Sequence, residues 1–168
     1  AWVVQRASGT SFADLLEQRI WGKLGAEQDA YIVVDQVGTQ FAGGGMSASL
    51  RDMARFGEAM RNNGRFNGQQ IVPEAVVADI RAGGDAAKFA DAGYATLPGW
   101  SYRNMWWVAG EEQGMFAARG IHGQTIYVDP KAEMVIARFA SNPVAANGAN
   151  DPVSLPAYAA LAKYLNAR

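Results

Sequence analysis

The sequence has no cysteine and only one histidine, His122, among its 168 residues. Without cysteine the chain cannot form disulfides, use a thiol in catalysis or bind a metal through thiolates. A single histidine leaves no room for a multi-histidine metal cluster. We therefore expect no metal site.

The chain also lacks long apolar runs and a surplus of charge of either sign. No apolar run approaches the ~18–20 residues that cross a bilayer. The 15 basic and 16 acidic residues leave a net charge of −1, which gives no electrostatic footprint for DNA, RNA or an anionic membrane. The first residues show no secretory signal pattern. We expect no nucleic-acid or membrane partner; the cytoplasm is favoured as the compartment and the periplasm stays open.

The composition that remains is typical of a globular domain, with 49% apolar and 18% charged residues. Residues Ala1–Ala7 have the pattern of the last turns of a helix that Gly9 ends, but no N-cap residue precedes them. A helix this short does not hold in isolation. We therefore expect the chain to begin inside a larger fold, as a C-terminal fragment.

The N-terminal part is predicted to consist of helices and loops. Ser-x-x-Asp capping boxes begin at Ser11 and Ser49, each followed by apolar residues at helical spacing. The glycine-rich loop Gly38–Met46 lies between them, and it is not a P-loop because no Gly-Lys-Ser/Thr follows it. A helix is expected after Pro73. The polar, glycine-bearing residues 82–99 are predicted to form a long loop.

The C-terminal part is predicted to be an antiparallel sheet closed by a helix. Apolar runs bounded by turn residues predict four strands: Ser101–Val108, Gly114–Arg119, Thr125–Val128 and Met134–Ala140. The first two are joined by a loop over residues 110–113, and the last two by an Asp-Pro turn. The closing helix has Pro156 in its first turn and a predicted inner stripe of Leu155, Tyr158, Ala159, Leu161, Ala162 and Leu165.

This order of elements predicts an α+β fold with an antiparallel sheet flanked by helices. Residues 1–100 form the expected helical and loop segment that borders a cleft, and residues 101–168 form the strands and closing helix. Glycines punctuate Gly120–Gly123, before the third predicted strand. They mark either a tight hairpin packed on a neighbouring helix or a close approach by a ligand.

Several collinear motifs resemble one family. Gly43–Gly57 (GGGMSASLRDMARFG) resembles a helix entry of the serine β-lactamase-related hydrolases, which include class C β-lactamases, D-alanyl-D-alanine carboxypeptidases and family VIII esterases. Three further segments resemble motifs of the same family: Asn63–Pro73 (NGRFNGQQIVP), Tyr102–Trp107 (YRNMWW) and Ala118–Pro130 (ARGIHGQTIYVDP). Within the family these motifs, with the ending Ser141–Tyr158, are most similar to the 6-aminohexanoate-dimer hydrolases, which degrade nylon oligomers. The resemblance implies a β-lactamase/transpeptidase-like fold.

The residues that handle protons in this family are missing from the chain. The family nucleophile is the serine of Ser-x-x-Lys, and the lysine and a second-box tyrosine manage its proton. No lysine here follows a serine at that spacing. The resemblance therefore implies that nucleophile, lysine and tyrosine lie in an N-terminal part of the same fold, which this chain needs as a partner.

The third active-site box of the family falls on Ala118-Arg119-Gly120. Ala118 departs from the lysine found there in many β-lactamases, which favours an esterase or amidase. Small residues such as Gly120 let the strand pass close to the scissile carbonyl. The resemblance implies that the N–H of Ile121 joins the N–H of the absent serine in an oxyanion hole.

Two further residues near the box are candidates for substrate binding, with Ala118 itself. Arg119 is either a ligand for a substrate carboxylate or a solvated strand residue. Trp106 and Trp107 should point to opposite faces of the sheet, and the resemblance favours Trp107 as the one that lines the site. His122 has no acidic partner at triad-like spacing, so we expect a structural role for it.

The glycine-rich loop offers Gln40 and Phe41 as candidate substrate contacts, unless it is a plain connection. The expected reaction is hydrolysis of a small-molecule amide or ester through an acyl-enzyme, with no metal or organic cofactor. One rival is a non-catalytic binding module or fragment of this fold. Another is a β-lactamase or D-alanyl-D-alanine carboxypeptidase. An upstream Ser-x-x-Lys and tyrosine would distinguish an enzyme from a binding module.

Overall fold

The structure is a computed structural model that describes residues 1–110 and 114–168. The α-helices in chain order are α1 (Trp2–Ser8), α2 (Phe12–Leu16), α3 (Gly22–Leu24), α4 (Leu50–Arg61), α5 (Glu74–Ala82), α6 (Ala86–Asp91) and α7 (Asp151–Asn166). The β-strands are β1 (Tyr31–Ile32), β2 (Met46–Ser47), β3 (Arg65–Phe66), β4 (Gln69–Gln70), β5 (Ser101–Arg103), β6 (Trp106–Val108), β7 (Phe116–Arg119), β8 (Thr125–Asp129) and β9 (Met134–Arg138).

The predicted helix boundaries in the N-terminal part are confirmed. Gly9 ends α1 in the left-handed conformation, with φ of 69°. The hydroxyl of Ser11 accepts a hydrogen bond from the N–H of Asp14 at the start of α2. A π-helical turn, Glu17–Trp21, joins α2 to α3. Local sequence signals therefore determine these boundaries.

The second capping box, at the start of α4, also anchors a distant loop. The Ser49 hydroxyl accepts from the N–H of Asp52 at 3.1 Å and donates to the Asp52 carboxylate at 2.7 Å. The same carboxylate, fully buried, accepts the N–H of Glu27 at 2.9 Å and the Arg55 guanidinium at 2.7 Å. Burial alone would raise the pKa of Asp52, but these hydrogen bonds outweigh it and lower the pKa.

The long loop predicted over residues 82–99 is wrong in part, because it contains α6. The Asp85 side chain accepts hydrogen bonds from the N–H groups of Ala87 and Lys88, which caps the helix. The ring of Phe89 is buried and stacks on Tyr94 with centroids 4.9 Å apart. The small residues and glycines of this segment favour a loop prediction, but the Asp85 cap and the buried Phe89 ring stabilise a helix.

The antiparallel sheet has strand order β5-β6-β7-β8-β9, so each strand pairs with its neighbours in sequence. The prediction of four strands was wrong, because Ser101–Val108 forms a hairpin of two strands rather than one. Asn104 and Met105 form its turn, with φ of 47° and 69°. Two positive φ values are typical of a type I′ turn, whose usual sequence signal, Asn-Gly, is absent here. Of the loop predicted over 110–113, residues 111–113 lie outside the described part.

The sheet lies between two helical layers. One face packs on α4 and α5 through a buried cluster of Met60, Val77, Ile80, Trp106, Val108, Phe116, Ile126 and Val128. The other face packs on α7 through Ala117, Ala132, Tyr127, Met134, Tyr158 and Ala162. Helix α4 approaches the sheet closely at Gly57, where an added Cβ would lie 2.5 Å from Val135 Cγ1. This confirms the α+β architecture.

The prediction for the closing helix needs two corrections. Helix α7 begins at Asp151, so Pro156 lies inside the helix and not in its first turn. Of the predicted inner stripe, Leu155, Tyr158 and Ala162 pack on the sheet. Ala159 is exposed, and Leu161 and Leu165 are 50% and 39% exposed. The buried face of α7 is therefore the narrow stripe of Leu155, Tyr158 and Ala162, spaced by three and four residues, and the other predicted positions lie outside it.

Among the described residues, no group of three or more acidic or histidine side chains is placed to hold a metal ion. Within the same residues no helix combines the length and apolarity that a membrane span requires.

Candidate active site

Strand β7 carries Ala118 and Arg119 of the predicted third active-site box. It ends in a tight turn that leaves one backbone N–H unpaired. The Gly120 N–H donates to the carbonyl of Gln124 at 2.8 Å, which closes the turn. A 3-10 turn, Ile121–Gly123, follows. Among the described residues we find no acceptor for the N–H of Ile121, which is the first residue of that turn, and its side chain is exposed. This N–H is therefore available to an external acceptor.

His122 fastens this turn to the segment before α7. Its Nδ1 lies 2.7 Å from the carbonyl oxygen of Asn142, which can only accept, so Nδ1 donates. The His122 N–H donates to the carbonyl of Ala145 at 3.0 Å. The Asn147 amide donates to the Gly120 carbonyl at 2.9 Å. The first two bonds connect His122 to backbone, which suits a structural role, and the third fastens the same turn at Gly120.

The side chain of Arg119 is buried rather than solvated, so that alternative was wrong. It forms an ion pair with Asp151, and the two side chains are 7% and 6% exposed. Thr96 donates from its hydroxyl to the other oxygen of the Asp151 carboxylate at 2.5 Å. The guanidinium also lies 5.9 Å from the centroid of the Trp107 ring. Arg119 is thus oriented by an acidic side chain at the start of α7 and by an indole on β6.

The two tryptophans of β6 point to opposite faces, as predicted. Trp106 is buried in the cluster under α4 and α5, and its ring packs edge-on against Phe116. Trp107 faces the other side, where Tyr102 packs edge-on against it at 4.8 Å. The indole N–H of Trp107 is buried with no hydrogen-bond partner among the described residues. Burial raises the pKa of the Tyr102 phenol above its ordinary value.

A cavity of about 590 Å³ unites several of the predicted residues. Trp107, Arg119, Gly120 and Ile121 line it together, which places the free N–H beside an aromatic ring and a cation. Tyr94, Thr96 and Asp151 are also among the lining residues. Sequence reasoning missed these three. The one available signal was Asn-Asp-Pro, a helix-start pattern, at Asn150–Pro152.

Three predicted site residues do not line this cavity. Ala118 alternates with Arg119 along β7 and packs against the cluster under α4 and α5. Gln40 accepts the N–H of Ala13 at 3.0 Å and lines a separate cavity of about 420 Å³. Phe41 is 57% exposed.

A comparison with protein families identifies the family of the chain. The β-lactamase family model matches residues 1–158, which is nearly the whole chain. The chain belongs to the β-lactamase family. The resemblance of its motifs to that family is confirmed, and the α+β fold is that of the family.

Individual members of the β-lactamase family give the same result. The chain is 39% identical over 144 residues to the 6-aminohexanoate-dimer hydrolase of Paenarthrobacter ureafaciens, a match that spans 85% of the chain and 37% of that relative. A Bacillus anthracis structure, provisionally named a 6-aminohexanoate-dimer hydrolase, superposes with a TM-score of 0.84 at 38% identity. That match covers 98% of this chain and 41% of the other.

A more distant member shares the fold alone. A provisionally named β-lactamase from Bacteroides dorei DSM 17855 superposes with a TM-score of 0.57 at 17% identity, over 89% of this chain and 53% of the other. The chain thus spans about two fifths of the length of its two more similar relatives. This coverage agrees with the expectation that the chain corresponds to a portion of the β-lactamase family fold.

Proposed function

We propose that this chain belongs to a serine amidase or esterase of the 6-aminohexanoate-dimer hydrolase type. In that enzyme it supplies one N–H of the oxyanion hole, just after β7, and one wall of the substrate cavity. The observation that carries the proposal is the N–H of Ile121, which has no acceptor among the described residues and borders the 590 Å³ cavity. An unpaired backbone donor beside a cavity suits an oxygen that gains negative charge during the reaction.

The proposed reaction proceeds through an acyl-enzyme. A serine from the N-terminal part of the fold attacks the carbonyl carbon of an amide or ester, and a neighbouring lysine and tyrosine take its proton. The carbonyl oxygen becomes an oxyanion, which the N–H of Ile121 and the N–H of that serine stabilise. Its collapse expels the amine or alcohol, which receives a proton. Water then attacks the acyl carbon, releases the acid and returns the proton to the serine.

The cavity wall suggests how the substrate is oriented. Asp151 neutralises part of Arg119, but a guanidinium has five N–H donors, so the ion pair leaves further donors on a residue that lines the cavity. They suit a carboxylate, and a 6-aminohexanoate dimer carries one. Trp107 supplies an aromatic surface beside that guanidinium. Asp151, Arg119 and Trp107 would therefore fix the substrate while Ile121 stabilises the charge.

Complementation tests this proposal. The chain is joined to an N-terminal part that carries Ser-x-x-Lys and the tyrosine, and the complex is assayed with a p-nitrophenyl ester, a 6-aminohexanoate dimer and a chromogenic β-lactam. We expect turnover of the ester or the dimer, with little turnover of the β-lactam. Turnover of the β-lactam alone would instead support the β-lactamase rival. A folded complex without turnover would support a binding module.

A further inference from the structure

A small polar cavity lies between the sheet and the start of α7. Its volume is about 20 Å³, and it is separate from the 590 Å³ cavity. A cavity needs roughly 10–15 Å³ in this measure to hold one water molecule, so this one suits a single water. The polar side chains of its wall include Arg119, Arg138, Asn150, Asp151 and Tyr158.

Two hydrogen-bond donors in this wall are buried and have no partner among the described residues. They are the hydroxyl of Tyr158, a residue that is 8% exposed, and the side-chain amide nitrogen of Asn150. Buried polar groups in native proteins nearly always have a partner, because an unsatisfied donor is costly. That both line one cavity of this size points to a shared acceptor.

We propose that a single water molecule is bound in this cavity as a permanent part of the structure. The water accepts hydrogen bonds from the Tyr158 hydroxyl and the Asn150 amide. It donates to the carboxylate of Asp151, whose oxygens retain free lone pairs beside their bonds to Arg119 and Thr96. Three partners are typical of a buried water.

The hydrogen-bonding groups of the wall favour water over an ion. A monatomic anion could accept from Tyr158 and Asn150 but could not donate to the Asp151 carboxylate, and a monatomic cation could not accept from the two donors. Water alone among these ligands both accepts and donates. It links Tyr158, in the second turn of α7, to the carboxylate that orients Arg119, and so it stiffens the wall of the larger cavity.

Tyr158→Phe tests the proposal, because it removes one hydroxyl and keeps the ring. The matched control is Tyr164→Phe on the same helix, where the side chain is 58% exposed. The variants are compared as the full chain, either alone or joined to an N-terminal part, in whichever of these two forms unfolds in one cooperative transition. Long-lived waters are counted by oxygen-17 magnetic relaxation dispersion, and stability is measured by thermal unfolding.

We expect Tyr158→Phe to lose about one long-lived water and to lower Tm by about 3–6 °C relative to Tyr164→Phe. Asn150→Ala carries the same expectation, so the test does not depend on one variant. A Tyr158→Phe protein as stable as the wild type would overturn the proposal, as would a lower Tm with the same number of long-lived waters. A wild-type Tm that is higher in chloride than in gluconate at equal ionic strength would overturn the proposal, because it would indicate that the cavity binds an anion.

Discussion

Two residues near the end of β7 line the 590 Å³ cavity in different ways. Ile121 offers its backbone N–H, so its side chain is free to point into solvent. Arg119, two residues earlier, offers a side chain that is buried and ion-paired with Asp151. A substitution at Ile121 therefore matters through the backbone, whereas one at Arg119 matters through charge and packing.

Ile121→Pro removes the N–H that we assign to the oxyanion hole. In the complete enzyme we expect kcat to fall by about 10²–10³, because one oxyanion donor is lost in the transition state. Ile121→Ala keeps the N–H and should retain nearly all of kcat. Circular dichroism of both variants must match the wild type, since proline can also disturb the strand. A folded Ile121→Pro enzyme with normal kcat would place the oxyanion hole elsewhere.

Asp151→Ala leaves the buried guanidinium of Arg119 without its partner. We expect the free energy of unfolding to fall by about 3 kcal/mol, because removing one member of a buried ion pair strands the other charge. The double variant Arg119→Met/Asp151→Leu should recover much of that loss, since an apolar pair needs no solvation. Chemical denaturation of the three proteins measures this. A double variant less stable than Asp151→Ala would contradict this explanation.

Sequence motifs located part of this site and missed the rest for a physical reason. Gly120, Ile121 and Trp107 lie within motifs that resemble the family, so they could be predicted. Asp151 is 32 residues from Arg119 in sequence, and only the fold brings the two together. The alternation of β7 predicts that Ala118 and Arg119 face opposite ways, which is why Ala118 falls outside the cavity.

Among the elements, α4 depends on one buried carboxylate. Hydrogen bonds from Ser49, Arg55 and the Glu27–Gln28 backbone lower the pKa of Asp52, although burial opposes them. A pKa that is lower in the folded state means that ionised Asp52 favours folding. The stabilisation by ionised Asp52 is complete at pH values above the pKa of the unfolded state, ~3.9. It is lost as the pH falls through the lower pKa of the folded state.

Asp52→Asn should therefore destabilise the protein in a pH-dependent way. At pH 7 we expect a loss of about 1–3 kcal/mol, because hydrogen bonds to a charged acceptor are weakened. The difference in stability between variant and wild type should become smaller as the pH is lowered through the acidic range. Thermal unfolding from pH 7 to pH 2, a range that extends well below the unfolded pKa of ~3.9, measures it, with exposed Asp91→Asn as the control. A difference that stays constant with pH would contradict the role of the charge.

The elements that could be predicted are those with local signals. Capping boxes at Ser11 and Ser49 place the starts of α2 and α4, because a cap acts within one helical turn. The hairpin turn at Asn104–Met105 lacks glycine, so no local signal indicated that it interrupts the strand. Helix α6 has a local cap at Asp85, but the burial of Phe89 in a cluster with Trp100 and Ala109 is a tertiary contact that the local sequence does not reveal.

At the scale of the whole molecule, the N-terminal part exposes many apolar side chains. Trp2, Val3, Tyr31 and Val37 are all more than half exposed, and Val37 reaches 85%. Among the described residues β9 pairs only with β8, which leaves one edge of the sheet open. Apolar surface and open edges both promote self-association.

We therefore expect the chain expressed alone to be aggregated, oligomeric or loosely packed. Supplying an N-terminal part of the family fold should cover these surfaces and yield a discrete species. Size-exclusion chromatography with thermal unfolding, with and without that part, is the direct measurement. A monomer with a sharp, cooperative transition in the absence of the partner would show that the chain is an independent domain.

We also expect the chain alone to form no acyl-enzyme, because it has no serine three residues before a lysine. Incubation with a fluorophosphonate probe should leave its serines unlabelled, and a p-nitrophenyl ester should be hydrolysed no faster than in buffer. A chain joined to the N-terminal part serves as the positive control. Stoichiometric labelling of the isolated chain would require a nucleophile that none of its motifs indicates.

The strand order β5-β6-β7-β8-β9 has a further consequence, for the order in which the molecule folds. Every strand pairs with its neighbour in sequence, so sheet formation requires the closure of short connections only. Contacts of low sequence separation form quickly, whereas α4 must return to β8 and β9 across more than sixty residues. The five-stranded sheet can therefore assemble first. The helices that precede it in the sequence then dock on its surface.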